Sequence, residues 1–347
     1  MLTPNVVPDF TALRVAVVGD PIADHSIFAR PSRLSREAPV IVMKHRSEEL
    51  TAGGAANVAR NLWTLGARPR LFGAVGRDTN GRALLEGLEG DTVDVRGVTT
   101  IPGWDTPTKS RIYGAETGRR SQQVLRLDRE PDGPVPEKSL ERIAATLDLL
   151  GLSEAEAVDA VLVSDYGYGA VSGPVVEAVQ RLARRGVPVI VDAHADFERF
   201  PGVRAMTPNI GELATALRLD VDRLRDDRAL AKAATAFRER FGPHALLVTR
   251  GNQGMSWFDD EHPEGVGVGA SGQEAVVDVS GAGDTAAVTL TLGLASGLEG
   301  PRAMRLANAA AGVVVMEPGT SVCHLSKLRS ALPHSPQPAR LESTVDA

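Results

Sequence analysis

Apolar residues in this chain gather in short β-branched runs, and nearly every run is followed by a stretch with helical spacing. Arg14 to Val18 (RVAVV) ends at Gly19-Asp20, the pattern of a buried strand meeting a loop. Gly54 to Leu65 (GAANVARNLWTL) is rich in Ala and Leu at helical spacing, with Gly66 placed to cap its end. The alternation recurs in LFGAV followed by a helix from about Thr79, AVLVS followed by PVVEAVQRLARR, VPVIVD, HALLVTR, and a long small-residue helix from Ala282 to about Ala295. Repeated strand and helix units predict an α/β fold, doubly wound, with a mostly parallel sheet covered on both faces.

Two stretches, at about 26–46 and 106–128, break this rhythm. TKSRIYG and QQVLRLD alternate apolar and polar residues, which predicts half-exposed antiparallel strands. These are expected to leave the main sheet as a small lid with an edge open to a partner; the alternative is ordinary edge strands on the main sheet. One domain is expected over 13–330, with polar, flexible tails at 1–12 and 331–347.

Composition narrows the functional classes. The chain has 347 residues, 43% of them hydrophobic, enough for one large core, and its net charge of -6 provides no basic field for nucleic acid. A small-molecule partner is expected instead. The single cysteine, Cys323, cannot pair internally, the N-terminus lacks a secretion signal, and no apolar run approaches the roughly 18 residues of a membrane span. A cytoplasmic protein is the expectation.

The sharpest chemical signal is Val277-Asp278-Val279-Ser280-Gly281-Ala282-Gly283-Asp284-Thr285, immediately before the small-residue helix. Gly281, Ala282 and Gly283 let backbone approach an anion closely, with the free N–H groups and positive dipole end of the helix behind it. Asp284, beside that cradle, can take a proton from an attacking hydroxyl, which suits phosphoryl transfer. The same pattern also describes a plain helix start with a dipole-favouring acid. Asn209 after Pro208, with Glu212 three residues on, reads as a capping box.

With Asp-Val-Ser before it, the GAGDT run resembles the C-terminal signature of the ribokinase-like (PfkB) carbohydrate kinase family, whose usual form has Thr at the place of Ser280. Gly53-Gly54 followed by Asn57 resembles the family's N-terminal signature, and Asn209-Ile210-Gly211-Glu212 its N-x-x-E element. The resemblance runs from Val15 to about Ser321 and is nearest the D-glycero-β-D-manno-heptose-7-phosphate kinase branch. It includes Ser32 to Pro39, Gln122-Gln123 with Arg126-Leu127-Asp128, Asp196 to Arg199, Thr207-Pro208-Asn209 and Ala307 to Gly312. No H-x-G-H nucleotide motif follows, so a stand-alone kinase is expected.

By that resemblance, ATP donates its γ-phosphate to an anomeric C1 hydroxyl, with Asp284 as the base. Asp24, Gly53, Gly54 and Asn57 would hold the sugar, with Arg33 and Lys109 closing from the lid. Asn209, Arg250, Gly251, Gly254 and Asn308 would surround the nucleotide. Glu212 and Asn209 would hold Mg2+ through water, and Asp278 and Ser280 would lie near a possible K+. A homodimer through the lid strands is implied as well.

Two departures bear on the sugar. The branch usually reads S-D-Y-x-K-G where this chain has Ser164-Asp165-Tyr166-Gly167-Tyr168-Gly169, and D-P-K where it has Asp192-Ala193-His194. Two ammonium groups suited to phosphate are thereby lost. Alternatives are therefore a related kinase for another sugar, sugar phosphate or nucleoside, and a degenerate binding protein without catalysis. A dinucleotide oxidoreductase does not fit, because Gly19-Asp20-Pro21 replaces the glycine fingerprint.

Overall fold

The computed structural model describes residues 6–114, 121–152, 156–272, 276–317 and 319–341. The strands, in chain order, are β1 Arg14–Gly19, β2 Pro21–Leu34, β3 Ile41–Gly54, β4 Arg68–Gly76, β5 Asp94–Ile101, β6 Thr108–Gly114, β7 Gln122–Arg129, β8 Ala160–Asp165, β9 Val189–Ala193, β10 Ala205–Met206, β11 Leu246–Thr249, β12 Met255–Phe258, β13 Val266–Val268 and β14 Ala339–Arg340. The α-helices are α1 Ala55–Thr64, α2 Thr79–Gly90, α3 Glu137–Asp148, α4 Pro174–Arg184, α5 Ile210–Leu217, α6 Asp227–Phe241, α7 Ala282–Ala295, α8 Gly300–Val314 and α9 Leu325–Ala331.

Among the described residues, ten strands form the main sheet in the order β14-β13-β12-β11-β10-β9-β8-β1-β4-β5. Pairing is parallel from β5 through to β11 and antiparallel from β11 to β14. Side chains alternate across a strand, so each parallel strand feeds two cores. Val15 and Val17 of β1 join a core with α1, α7 and α8, whereas Ala16 and Val18 join one with α3, α4 and α6. The doubly wound α/β expectation is met. Among the described residues no helix is long and apolar enough to cross a membrane.

A second, four-stranded sheet has the order β3-β2-β6-β7. β2 and β3 form a 14-residue antiparallel pair that runs from Pro21 opposite Gly54 to Leu34 opposite Ile41, so the first segment extends beyond 26–46 at both ends. β6 adds parallel to β2, and β7 pairs antiparallel to β6 with every residue exposed. Residues 115–120 of the second segment lie outside the described residues.

The chain ends correct the expectation of flexible tails. Val7 and Phe10 are buried, as are Leu332 and Ser335, and β14 adds an edge strand to β13. The buried Arg305 guanidinium donates to the carbonyls of Leu332 (2.8 Å), Ser335 (3.0 Å) and Pro336 (3.1 Å). A buried cation satisfied by carbonyls fixes this segment, a long-range cause that local polarity does not reveal. Residues 1–5 and 342–347 lie outside the described residues.

Candidate active site

In the main sheet the chain leaves β1 for β4 and β5 on one side and for β8 on the other, so the topological switch lies at the carboxyl ends of β1 and β8. Both ends carry carboxylates. Asp20, just past β1, is buried and accepts from the backbone N–H groups of Tyr166 (3.0 Å), Tyr168 (3.1 Å) and Ala170 (2.9 Å). Burial, together with nearby Asp165, pushes its carboxyl up to about 6 against the pull of those three donors. Asp20 therefore shapes the turn that follows β8.

α7 begins at the same edge. Its N-cap is Gly281 at φ 78°, with no side chain capping the end. A Cβ there would sit 3.2 Å from Asn57 Nδ2, so both conformation and space call for glycine. At Gly283, in contrast, no atom of the described residues beyond its chain neighbours and its own helix backbone lies within 4 Å of where a Cβ would stand. The helix start thus presents an open face backed by the positive dipole end, which fits an anion. Ala282 and Gly283 also line a cavity of about 600 Å³ with Gly251, Gly254, Asn308 and Gly312.

Asp284 is buried in the first turn of α7. Its Oδ2 accepts from Asn57 Nδ2 at 2.7 Å and its Oδ1 from the Tyr166 hydroxyl at 2.8 Å. Burial raises its pKa from the ordinary carboxylate value, although the two donors work in the opposite direction. The Tyr166 phenol is pushed well above its usual value by burial and by Asp284, so it stays a donor.

Asp24, buried on β2, accepts from Arg111 Nη1 at 2.7 Å and from Thr320 Oγ1 at 2.5 Å. Gly53, on the neighbouring β3 opposite Ile22, comes so close that a Cβ there would fall 2.7 Å from Asp24 Oδ2; Gly54 is the N-cap of α1 at φ 53°. Lys109 pairs in register with Asp24, and its ammonium lies 5.0 Å from the Tyr166 ring centroid. Burial lowers the Lys109 pKa. Arg33 is not brought to this cluster: it is exposed on β2, roughly 30 Å of strand from Asp24, with its guanidinium against the Leu34 carbonyl.

On the opposite flank, Asn209 and Glu212 form the capping box of α5. Glu212 also meets His194 Nδ1 at 2.6 Å, and this bond raises the histidine pKa. Asp192, at the end of β9, accepts from Thr207 and is pushed up to about 7 by burial and by Asp284. Gly251 and Gly254 line the cavity, but the Arg250 side chain does not: it is buried against Asp227 (2.7 Å) and Ser256 (3.2 Å), where it ties α6 to β12. Asn308 lines the cavity while its amide donates to Gly269 O and Ser271 Oγ, bracing the loop after β13. Asp278 accepts from the N–H groups of Ser280 (2.9 Å) and Gly319 (3.0 Å), which outweigh partial burial and lower its pKa.

Tyr166, Asp20, Asp192 and Thr320 were not among the expected site residues. Tyr166 and Asp192 carry a sequence signal, since each lies at the carboxyl end of a buried strand, where α/β ligands bind. Thr320 carries none, because its contact with Asp24 spans 296 residues of sequence.

Residues 12–327 match the family model described as pfkB family carbohydrate kinase. The chain belongs to the pfkB family of carbohydrate kinases. It is 38% identical to the bifunctional protein HldE of Magnetococcus marinus over 93% of this chain and 64% of that protein. With the bifunctional protein HldE of Erwinia tasmaniensis it shares 40% identity over 95% of this chain and 65% of that one. The kinase thus spans less than two thirds of the length of these relatives. Its fold matches phosphofructokinase-2 from Escherichia coli in complex with potassium, with a TM-score of 0.72 at 17% identity over 93% of this chain and 98% of that one. As a carbohydrate kinase it is a phosphotransferase acting on a sugar hydroxyl.

The two cradle glycines separate folding from chemistry. Gly283→Ala is expected to leave the melting temperature of the kinase unchanged or slightly raised, because helix favours Ala over Gly, while cutting phosphotransfer by about a hundredfold. Gly281→Ala should cost roughly 1–2 kcal/mol of stability through its left-handed backbone. Melting curves and turnover on both variants check this, and full turnover by Gly283→Ala would remove the cradle.

Proposed function

We propose that this kinase transfers the γ-phosphate of ATP to the anomeric C1 hydroxyl of D-glycero-β-D-manno-heptose 7-phosphate or a closely related heptose. The observation that carries the reading is the place of Asp284, buried where the open start of α7 meets the Asn57 side chain. The resemblance of Ser32 to Pro39, Gln122-Gln123 with Arg126-Leu127-Asp128, Asp196 to Arg199, Thr207-Pro208-Asn209 and Ala307 to Gly312 to the heptose-kinase branch supplies the substrate.

In this mechanism ATP lies in the cavity with its γ-phosphate at Gly281 to Gly283. The sugar sits against Asp24, Gly53, Gly54 and Asn57, displacing some of the contacts that Arg111 and Thr320 make with Asp24. Asp284 takes the C1 hydroxyl proton, the oxygen bonds to the γ-phosphorus, and the bond to the ADP oxygen breaks. The transition state is loose, so placement and backbone N–H donors contribute more than base strength. Lys109 and the second sheet close over the sugar as a lid and exclude water.

Magnesium, when bound, spreads the negative charge of the transferring phosphates. Asn209 and Glu212 would hold it through water. This fits the donor set, because the capping box holds an amide oxygen and a carboxylate side by side, and Mg2+ takes oxygen ligands while keeping several waters. Asp278 and Ser280 would lie near K+, a reading supported by the potassium complex of the phosphofructokinase-2 neighbour. The buried Cys323 thiol fits a reducing cytoplasm.

A second reading, another sugar or sugar phosphate, is favoured by the two lost lysines. Tyr168 reaches Glu130 (3.5 Å) instead of a phosphate, and His194 is engaged by Glu212. Turnover on heptose 7-phosphate, free heptoses and hexose phosphates decides between them. A preference for heptose 7-phosphate of at least tenfold in kcat/KM is expected, and equal or better use of a hexose phosphate would favour the second reading.

The lid also supports a homodimer. Val124, Leu125 and Leu127 of β7 and Leu34, Val40 and Ile41 around the β2–β3 turn are large apolar residues exposed to solvent, on a sheet with an open edge. Sedimentation equilibrium should give twice the chain mass, reverting toward one chain mass in Leu125→Lys/Leu127→Lys. A parent protein that sediments only as a monomer would contradict this.

A further inference from the structure

The catalytic carboxylate has a second neutral donor that neither kinase signature contains. Asn57 on Asp284 Oδ2 comes from the Gly53-Gly54 element, whereas Tyr166 on Oδ1 comes from the turn after β8. Backbone bonds, a ring contact and a cation fix that phenol. Asp20 accepts from the backbone N–H groups of Tyr166 and Tyr168, and Gly167 N–H bonds Asp165 Oδ1 at 2.9 Å, so the turn is held from both sides. The His194 ring meets the Tyr166 ring edge-on, with centroids 4.8 Å apart and planes at 90°. From the lid, the Lys109 ammonium stands over the ring face at 5.0 Å, close enough for a cation–π attraction.

We propose that Tyr166 is a positioning residue for phosphotransfer: its hydroxyl fixes the Asp284 carboxylate plane, and its ring gives the lid lysine a seat over the site. The inference deepens the proposed function and rests on Asp284 as the base. A carboxylate held by one donor on each oxygen cannot rotate about its Cβ–Cγ bond without breaking a hydrogen bond, so its remaining lone pairs stay directed at the reacting hydroxyl. The phenol keeps its proton throughout and never touches the transferred group. It works by holding the ionised acid, which it favours over the protonated one.

Other groups facing Asp284 are Asp24 from β2 and Asp192 and His194 from the end of β9. None of them changes when only the Tyr166 hydroxyl is altered, so a pair of hydroxyl variants isolates the donor. Tyr166→Phe keeps the ring contacts with Lys109 and His194. Site-specific 3-fluorotyrosine at 166 keeps the shape and makes the hydroxyl a stronger donor, which covers the case of a poorly folding Phe variant.

The assay uses Mg-ATP and D-glycero-β-D-manno-heptose 7-phosphate. Tyr166→Phe should lower kcat by roughly tenfold at neutral pH, the loss expected for one hydrogen bond to a charged group, with KM for both substrates within about twofold. The acid limb of kcat should move to higher pH in the Phe variant and to lower pH with 3-fluorotyrosine. Unchanged kcat, a rise in KM alone, or limbs that move the same way would overturn the inference. An unsubstituted enzyme that phosphorylates no sugar would sink the functional reading and this inference with it. An active parent with an unimpaired Phe variant sinks the inference alone.

Discussion

One buried negative charge governs this site. Asp284 lies out of solvent, where an isolated carboxylate is costly, and it is tolerated because neutral donors and a helix start surround it. Asn57 and Tyr166 supply the donors, and the positive end of the α7 dipole lies beneath. Burial still raises the pKa overall, so desolvation outweighs these compensations. That balance suits a group that must accept a proton and be free of water: desolvation increases its proton affinity, while the donors keep it oriented.

The remainder of the fold brings these partners to one place. Parallel pairing of β8, β1 and β4 aligns their carboxyl ends, and the switch in strand order opens a crevice between the turns that follow β1 and β8. α1 and α7 pack against the same face, which carries Asn57 to Asp284 across 227 residues of sequence. β2 leaves this edge directly after Asp20, so Asp24 and the second sheet are tied to the same switch point. In the proposed mechanism the sugar side and the nucleotide side would therefore meet over a single helix start.

Local pattern made much of this legible. The α7 segment, the α1 segment and the capping box at Asn209 and Glu212 follow from residues close in sequence, and the structure forms each of them. Strand and helix alternation likewise gave the fold class. What stayed hidden depends on distant partners. Arg250 reads as a residue beside the nucleotide until Asp227 and Ser256 are seen to claim its side chain. The C-terminal segment reads as a tail until Arg305 is seen to hold its carbonyls. Tyr166 sits in a recognisable motif, yet only the folded chain shows its hydroxyl on Asp284. Polar groups choose partners by proximity in space, and one sequence does not display that proximity.

The central claim is that Asp284 accepts the proton of the attacking hydroxyl beside the cradle. Single-turnover transfer by Asp284→Asn, with nucleotide and sugar binding measured separately by calorimetry, tests it most directly. The account predicts a rate reduced by about a thousandfold or more with both ligands still bound, because the amide keeps the shape and loses the base. Transfer at the parental rate with normal binding would contradict it.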